Sequence, residues 1–306
     1  MITPDNPYYS QVRLLVGVLP LVGRERCFAL KGGTAINLFV RDMPRLSVDI
    51  DLAFLPDGDR QQALRAIDTA LGRIRTALAG VSSAYAVQVA KREDGFAYAM
   101  HVREGAATIK IEVSPVLRGT VFPPRDLRIV HSAEEEFGFA EVQTLSFEDL
   151  FAGKLVAALD RQHPRDLFDV KLLLEREGVS ENLFRAFLVY LISHDGSLAR
   201  VIAPRRKPIA RLFQEQFADM TAEPVSLETL ERAREDMIAA LHRHVGEREK
   251  DFLVSFKRLE PRWNLLGVEH APNLPAVRWK LHNLERMGRK ARDGAVRELE
   301  RVLAEV

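Results

Sequence analysis

The sequence has 306 residues, of which 47% are hydrophobic and 28% are charged. This is the balance of an ordinary globular protein, with enough chain for one large domain or two. No stretch reaches the roughly 20 apolar residues that a membrane-spanning helix needs, so the composition excludes a membrane protein. Cys27 is the single cysteine, which excludes an internal disulfide and favours a reducing, cytoplasmic location.

The net charge of +1 conceals a division along the chain. Residues 1–199 hold 23 Lys and Arg against 26 Asp and Glu, whereas residues 200–306 hold 21 against 17. An excess of four positive charges in the second part suits a polyanionic partner, but it is also common on solvated helices. Charge alone favours the solvated helices.

The chain opens with apolar and short segments. The run from Leu14 to Val22 lacks the cationic start and cleavage site of a signal peptide, and it predicts a buried helix. The segment "CFALK" predicts a short strand that runs into Gly32 and Gly33. After these glycines, "TAINLFV" has helical spacing and "SVDIDLAFL" alternates as a strand does.

A longer amphipathic segment and five short ones follow. "RQQALRAIDTALGRIRTALAG" has apolar residues three and four positions apart and predicts a helix that ends at Gly80. The β-rich segments are "YAVQVAKR", "FAYAMHVRE", "TIKIEVSPVL", "LRIVHS" and "EVQTLS". Gly, Pro or charged residues separate them, which predicts a mostly antiparallel sheet.

From Ser146 the pattern is helical to the end, with a long final helix predicted from Val277. The predicted fold class is therefore α+β. Residues 1–145 would form a mixed or antiparallel sheet with flanking helices, and residues 146–306 a helical domain.

Two aspartates lie one residue apart in the second predicted strand. Residues i and i+2 of a strand point to the same face, so Asp49 and Asp51 project together. Two such carboxylates repel each other unless a cation neutralises them, and Mg²⁺ is the hard cation that carboxylates favour. The alternative is a plain solvent-exposed strand face, which fits the same alternation.

The Gly32-Gly33 pair lies between a predicted strand and a predicted helix. Backbone N–H groups in such a turn can approach a phosphate closely, with help from the helix dipole. Thr34 would cap that helix or contact the phosphates. A glycine pair is more often an ordinary turn, and Ser47 is either a phosphate contact or a strand-start residue.

A third acid, Glu112, lies in "TIKIEVSP" and shares a strand face with Lys110. If this strand paired beside the one with Asp49 and Asp51, Glu112 would complete a two-metal site. An exposed Lys–Glu pair on the wet face of a sheet explains the same residues equally well.

Lys154 lies within the apolar helical segment "LFAGKLVAAL", where a charge needs a partner or a ligand. The alternative is a lysine whose ammonium reaches the surface. Asp166 and Asp169 share a helix face at i, i+3 and could orient Lys154 or Arg161. Such a pair near a helix N-terminus is also simply favoured by the helix dipole.

The sequence has a glycine turn, then a D-x-D strand, then an acid on a later strand. This order resembles that of the polymerase-β-like nucleotidyltransferases. The chain is most similar to the AbiEii/AbiGii group, the nucleotidyltransferase toxins of abortive-infection and toxin–antitoxin systems, which include the MenT-like toxins. The resemblance covers most of the chain. It rests on "LKGGTAINLF", "RLSVDIDL", "IKIEVS", "GKLVAALDRQHPRDLFDV" and "LPAVRWKLHNL".

The resemblance implies a role for each matching residue. Asp49, Asp51 and Glu112 would bind two Mg²⁺ ions, and these acids with Lys154 and Asp166 would be catalytic. The nucleotide, an NTP, would contact Gly32, Gly33, Thr34, Arg45, Ser47, Lys154 and Asp169.

The resemblance further implies a cytoplasmic toxin with a cognate antitoxin. It would transfer NMP from an NTP to an RNA acceptor, with the 3′ end of tRNA the leading candidate. Arg286, Arg289 and Lys290, placed on one face of the predicted final helix, would follow the RNA phosphates. Transfer to a small molecule or a protein, and binding of nucleotide or RNA without turnover, are the alternatives.

Overall fold

The computed structural model describes residues 5–306, which divide into two compact units. Of the described residues, those up to Ser146 form the first unit together with Asp219–Pro224, and Phe147–Ala218 with Val225–Val306 form the second. Within the described residues, no helix is long and apolar enough to cross a membrane.

The described part of the first unit combines four α-helices with seven strands. In chain order these are α1 (Tyr9–Val22), β1 (Phe28–Lys31), α2 (Gly32–Ala35), β2 (Asp49–Phe54), α3 (Arg60–Val81), β3 (Ala86–Lys91), β4 (Ala97–Glu104), β5 (Ala107–Arg118), β6 (Arg125–Arg128), α4 (His131–Phe137) and β7 (Glu141–Thr144).

The seven strands form one mixed sheet in the order β3-β4-β5-β2-β1-β7-β6. Strand β2 runs parallel to β5, and β1 runs parallel to β7, while the other neighbouring pairs are antiparallel. This confirms the predicted mixed sheet with flanking helices. The β-branched residues Ile109, Ile111 and Val113 of β5 are almost fully buried, as the alternating pattern predicts.

Two helices cover the sheet, each through an apolar face. Helix α1 packs on β5 and α3 packs on β4. The predicted buried helix at Leu14–Val22 is confirmed as the last nine residues of α1. Helix α3 ends at Val81, one residue beyond the predicted end at Gly80.

The segment after the glycine pair is helical, as predicted, but it is not a regular α-helix. Four residues of α2 continue into a π-helical stretch, Ile36–Val40, in which the Arg41 N–H donates to the Ile36 carbonyl at 2.8 Å. A π-turn inserts one extra residue into a helical turn and often marks a functional site.

The second unit is helical throughout. Its α-helices are α5 (Phe147–Arg161), α6 (Pro164–Arg176), α7 (Glu181–Ser193), α8 (Leu198–Ile202), α9 (Ala210–Gln216), α10 (Leu227–His242), α11 (Glu247–Lys257), α12 (Pro275–Arg286) and α13 (Arg289–Ala304). Helix α5 packs on α7, and α6 packs on α10.

The predicted single final helix is wrong. Helix α12 ends at Arg286, and Met287 and Gly288 have extended backbone before α13 begins. Arg286 therefore does not share one helical face with Arg289 and Lys290. The apolar periodicity continues across the break, which is why the sequence pattern predicts one helix.

Candidate active site

The Gly32-Gly33 turn packs directly against β2. Gly32 has a φ of +75°, the left-handed region that favours glycine. A Cβ on Gly32 would lie 2.5 Å from Oδ2 of Asp51, and one on Gly33 would lie 2.7 Å from Nη2 of Arg45 and 2.9 Å from Oγ of Ser47. The turn therefore approaches Asp51, Arg45 and Ser47 more closely than any residue with a side chain allows.

Thr34 and Ser47 tie the start of α2 to β2. Oγ1 of the buried Thr34 lies 2.5 Å from the main-chain oxygen of Asp49 and 3.0 Å from Oγ of Ser47. A carbonyl can only accept, so Thr34 donates to Asp49 and accepts from Ser47. The predicted cap is wrong, because the N-cap position belongs to Lys31. Phosphate contacts from Thr34 and Ser47 stay predictions.

Arg45 is buried beside the turn, with 2% of its surface exposed. Its Nη1 donates to the Leu46 carbonyl at 2.8 Å, and its backbone forms an isolated antiparallel bridge with Thr221. The segment Asp219–Pro224, late in the chain, thus covers Arg45. Because a guanidinium is always protonated in proteins, this places a permanent positive charge at the glycine turn.

The two aspartates of β2 lie on one face, as predicted. Asp49 is exposed and Asp51 is half-buried, whereas Ile50 between them is fully buried. Strand β5 pairs beside β2 in the register that places Lys110 opposite Asp49 and Glu112 opposite Asp51. Residues directly opposite in a sheet project to the same side, so the third acid shares the face of the other two.

Two lysines share that face with the acids. Lys31 of β1 lies opposite Asp51, and Lys110 forms an ion pair and hydrogen bond with Glu112. The hydrogen bond to Glu112 raises the pKa of Lys110 above its usual value, and the Asp49 carboxylate acts in the same direction. The i, i+2 spacing of Lys110 and Glu112 predicts an exposed pair on one strand face, and no local pattern indicates that Asp49 lies opposite Lys110.

The oxygen donors of this face fit a hard divalent cation. Asp49 and Asp51 supply carboxylates on one face of β2, and Asp51 lies beside the glycine turn. Within residues 5–306, no three His, Cys, Asp or Glu side chains converge as a ready metal site. Glu112 is instead paired with Lys110.

A second charged cluster lies in the helical unit. Nζ of Lys154 on α5 lies 2.8 Å from Oδ1 of Asp166 and 2.9 Å from Oδ2 of Asp169, both on α6. All three side chains are buried. The predicted contact of Asp166 and Asp169 with Lys154 is therefore present in the structure.

Arg161 completes the cluster from the end of α5. Its Nε lies 2.6 Å from Oδ2 of Asp166 and its Nη2 lies 3.1 Å from Oδ1, in a bidentate contact. Burial disfavours the charged form of Asp166, but Lys154 and Arg161 outweigh it and hold the pKa of this carboxyl well below its usual value. The two cations balance the two buried carboxylates.

The start of α6 is fixed by His163. Its Nδ1 accepts a hydrogen bond from the Arg165 N–H at 3.2 Å, and its Nε2 lies 3.0 Å from Oε1 of Gln216. The accepting Nδ1 makes this the neutral tautomer, with the proton on Nε2. Pro164 follows at the first helical position, where a missing N–H costs nothing.

The sequence matches the family described as "Nucleotidyl transferase AbiEii toxin, Type IV TA system" over residues 13–283. The chain belongs to the AbiEii family. An AbiEii protein is a nucleotidyltransferase toxin of a toxin–antitoxin system. Membership of the family implies a nucleoside triphosphate as substrate and a cognate antitoxin as partner. No curated protein matches the chain.

A solved structure has a similar fold. MenT4, a nucleotidyltransferase toxin from Mycobacterium tuberculosis H37Rv, has a TM-score of 0.61 and 16% sequence identity to this AbiEii chain. The similarity covers 92% of this chain and 95% of MenT4. At this identity the comparison establishes the fold, including the mixed sheet and the helical C-terminal region.

Proposed function

We propose that this AbiEii protein is an Mg²⁺-dependent enzyme of the cytoplasm that transfers NMP from an NTP to RNA. The observation that carries the proposal is the position of Asp49 and Asp51 on one strand face, with Oδ2 of Asp51 directly against Gly32. A triphosphate in the turn and a cation on the carboxylates would then be neighbours. The acceptor that the sequence resemblance implies is tRNA.

Asp49 and Asp51 would hold the cation that accompanies the triphosphate, and Glu112 would help to hold a second. A bound divalent ion neutralises phosphate charge and lowers the pKa of a nearby hydroxyl. The carboxylates of β2 would thus position the α-phosphate for in-line attack by an RNA hydroxyl, with pyrophosphate as the leaving group. Catalysis of this kind depends mainly on positioning and electrostatics.

The chain offers several groups for the triphosphate. Backbone N–H groups of Gly33 and Thr34 lie in the first turn of a helical segment, where they are oriented toward an anion. Arg45 adds a fixed positive charge at the turn. Lys154 would neutralise phosphate charge, with Asp166 and Asp169 holding its ammonium in place.

A basic segment of the helical unit would bind the RNA backbone. Arg205, Arg206 and Lys207 lie between α8 and α9. The buried Gln162 fixes them, since its amide donates to the Arg205 carbonyl at 2.8 Å and accepts from the Lys207 N–H at 2.9 Å. Gln162 directly follows Arg161, so this segment lies beside the Lys154–Asp166 cluster. Phosphate contacts from exposed Arg and Lys side chains fix position rather than read sequence.

The proposal is tested by finding where the label goes. The protein is incubated with each α-³²P-labelled NTP, Mg²⁺ and total cellular RNA, and the products are separated into RNA, protein and small molecules. We expect the label in an RNA of tRNA size, and no label with Asp51→Asn. Label in protein or in a small molecule would overturn the RNA acceptor, and the absence of label from every fraction would overturn transfer.

A further inference from the structure

Lys110 is paired with Glu112, the third acid on the strand face that carries Asp49 and Asp51. Its ammonium pairs with Glu112, two residues further along β5, and both side chains are partly exposed on the same side of the sheet. The contact is local to one strand, so it forms wherever β5 forms.

The sheet register brings the same ammonium close to the other acids. Lys110 lies opposite Asp49 in the parallel pairing of β2 with β5, and the Asp49 carboxylate attracts it. Glu112 lies opposite Asp51. The three carboxylates therefore lie on the same face of neighbouring strands as the ammonium of Lys110. Lys31 lies opposite Asp51 on β1, the other neighbour of β2.

This arrangement makes Lys110 a competitor of a metal ion. A carboxylate oxygen that accepts from an ammonium has lost part of its capacity for a cation, and the fixed positive charge repels a second one. The ion pair places this internal cation on a carboxylate that the proposed metal site would use.

We propose that Lys110 is a positioning residue that keeps Glu112 occupied until a divalent cation displaces it. The inference rests on the proposed metal site of Asp49 and Asp51. Lys110 then sets how tightly the nucleotide-free protein binds metal, and it couples the release of Glu112 to metal entry. Lys154 in the helical unit lies between two buried carboxylates, whereas the ion pair of Lys110 with Glu112 is partly exposed and open to competition from solution.

The experiment measures binding of Mn²⁺ alone to the nucleotide-free protein, from the loss of the free-ion EPR signal at constant ionic strength. Lys110→Met keeps an aliphatic chain of similar length but removes the charge. A unit charge a few ångströms from a divalent ion changes its affinity by roughly tenfold in water-like surroundings. We expect Lys110→Met to bind Mn²⁺ about tenfold more tightly than the wild type, and Lys110→Arg to bind as the wild type does.

Two further variants separate the local contact from general charge. Lys91→Met removes the same charge from the edge strand β3 and should leave Mn²⁺ affinity unchanged. In a Glu112→Gln background the effect of Lys110→Met should shrink, because the carboxylate for which lysine and metal compete is gone. Circular dichroism confirms that each variant is folded.

The outcomes distinguish this inference from the proposed function. If the wild type binds Mn²⁺ and Lys110→Met binds it within twofold or more weakly, Lys110 is not a competitor and the inference fails alone. If Lys91→Met tightens binding as much as Lys110→Met, the effect is general charge and the inference also fails. If neither the wild type nor Lys110→Met binds Mn²⁺, both this inference and the metal-dependent mechanism are wrong.

Discussion

Acidic side chains of this protein occupy two very different environments. Asp49 and Asp51 lie on an accessible strand face, whereas Asp166 and Asp169 are buried and paired with Lys154. The first pair is accessible from solution, whereas the second is neutralised by buried cations. We therefore propose metal binding for the first pair, and the second pair orients Lys154.

Lys154→Ala should lower the free energy of unfolding as well as the rate of transfer. Removing one partner of a buried ion pair leaves uncompensated charge and costs about 3–5 kcal/mol. Urea unfolding measures this loss. The control is Lys171→Ala, which breaks the more exposed pair with Glu175 on α6 and should cost about 0.5 kcal/mol. Equal small losses in both variants would show that Lys154 is not held as described.

Gly32→Ala should impair transfer beyond its effect on stability. Gly32 and Gly95 both have a φ near +80°, so alanine at either position costs about 1–2 kcal/mol of backbone strain. A Cβ on Gly32 would also collide with Asp51, whereas one on Gly95 meets no atom within 4 Å. We expect Gly32→Ala to lose at least as much stability as Gly95→Ala, and a roughly 100-fold slower transfer with Gly32→Ala alone when both variants are folded. Equal transfer rates would remove the contact with Asp51 from the mechanism.

Short local elements position these side chains. The register of β2 between β1 and β5 places the acids, and the turn from β1 into α2 places the glycines. In the helical unit, the N-terminus of α6 places Asp166 and Asp169 opposite Lys154. Each functional group thus depends on one boundary between elements, where a single substitution has a large effect.

The cap of α6 should make stability depend on pH. Burial lowers the pKa of His163, whereas the hydrogen bond to Gln216 raises it. The nearby charges of Arg165 and Arg161 lower this pKa further, and the charge of Asp166 raises it. The net effect is a lowered pKa, so the unfolded chain binds more protons than the native protein as the pH falls. The contribution of neutral His163 to the free energy of unfolding is therefore complete above the unfolded pKa of about 6.5, and it is lost as the pH falls through the folded pKa.

His163→Asn keeps a good N-cap residue but removes this titration. Unfolding by urea between pH 7.5 and pH 5 should show a loss of wild-type stability that is smaller in the variant. Parallel curves for the two proteins over this range would contradict the role of His163.

RNA binding should weaken with salt, and the basic segment after α8 should carry part of that dependence. Arg205→Ala with Lys207→Ala should reduce the slope of log K against log salt by about 1.4–1.8 if both contact phosphates, since each lost phosphate contact accounts for about 0.7–0.9. Arg289→Ala with Lys290→Ala removes equal charge from the start of α13 and should leave the slope unchanged. The reverse result would move the RNA site to α13.

Much of the whole molecule could be predicted from local patterns. Alternation and helical spacing predicted six of the seven strands and the helical second part, and the D-x-D spacing predicted the shared face of Asp49 and Asp51. The predicted strand "LRIVHS" is largely wrong, because it overlaps β6 by two residues only and its last two residues begin α4. Contacts between distant segments could not be predicted in this way. No local sequence pattern indicates that residues 219–224 pair with the segment around Arg45. The apolar periodicity likewise continues through Met287 and Gly288, although the backbone is extended there and the helix is broken.

The acids of β2 are the feature on which the proposed chemistry depends. Asp49 is exposed, and its removal relieves repulsion with Asp51. The free energy of unfolding of Asp49→Ala should therefore lie within about 0.5 kcal/mol of the wild-type value. Transfer should nevertheless be abolished, because one carboxylate alone does not hold the cation.

The decisive measurement is therefore the single-turnover transfer of α-³²P from NTP to RNA in Mg²⁺ by wild type and Asp49→Ala, with circular dichroism of both. We predict transfer by the wild type and none by the folded variant. Transfer by the folded variant at the wild-type rate would contradict the assignment of Asp49 and Asp51 as the catalytic acids.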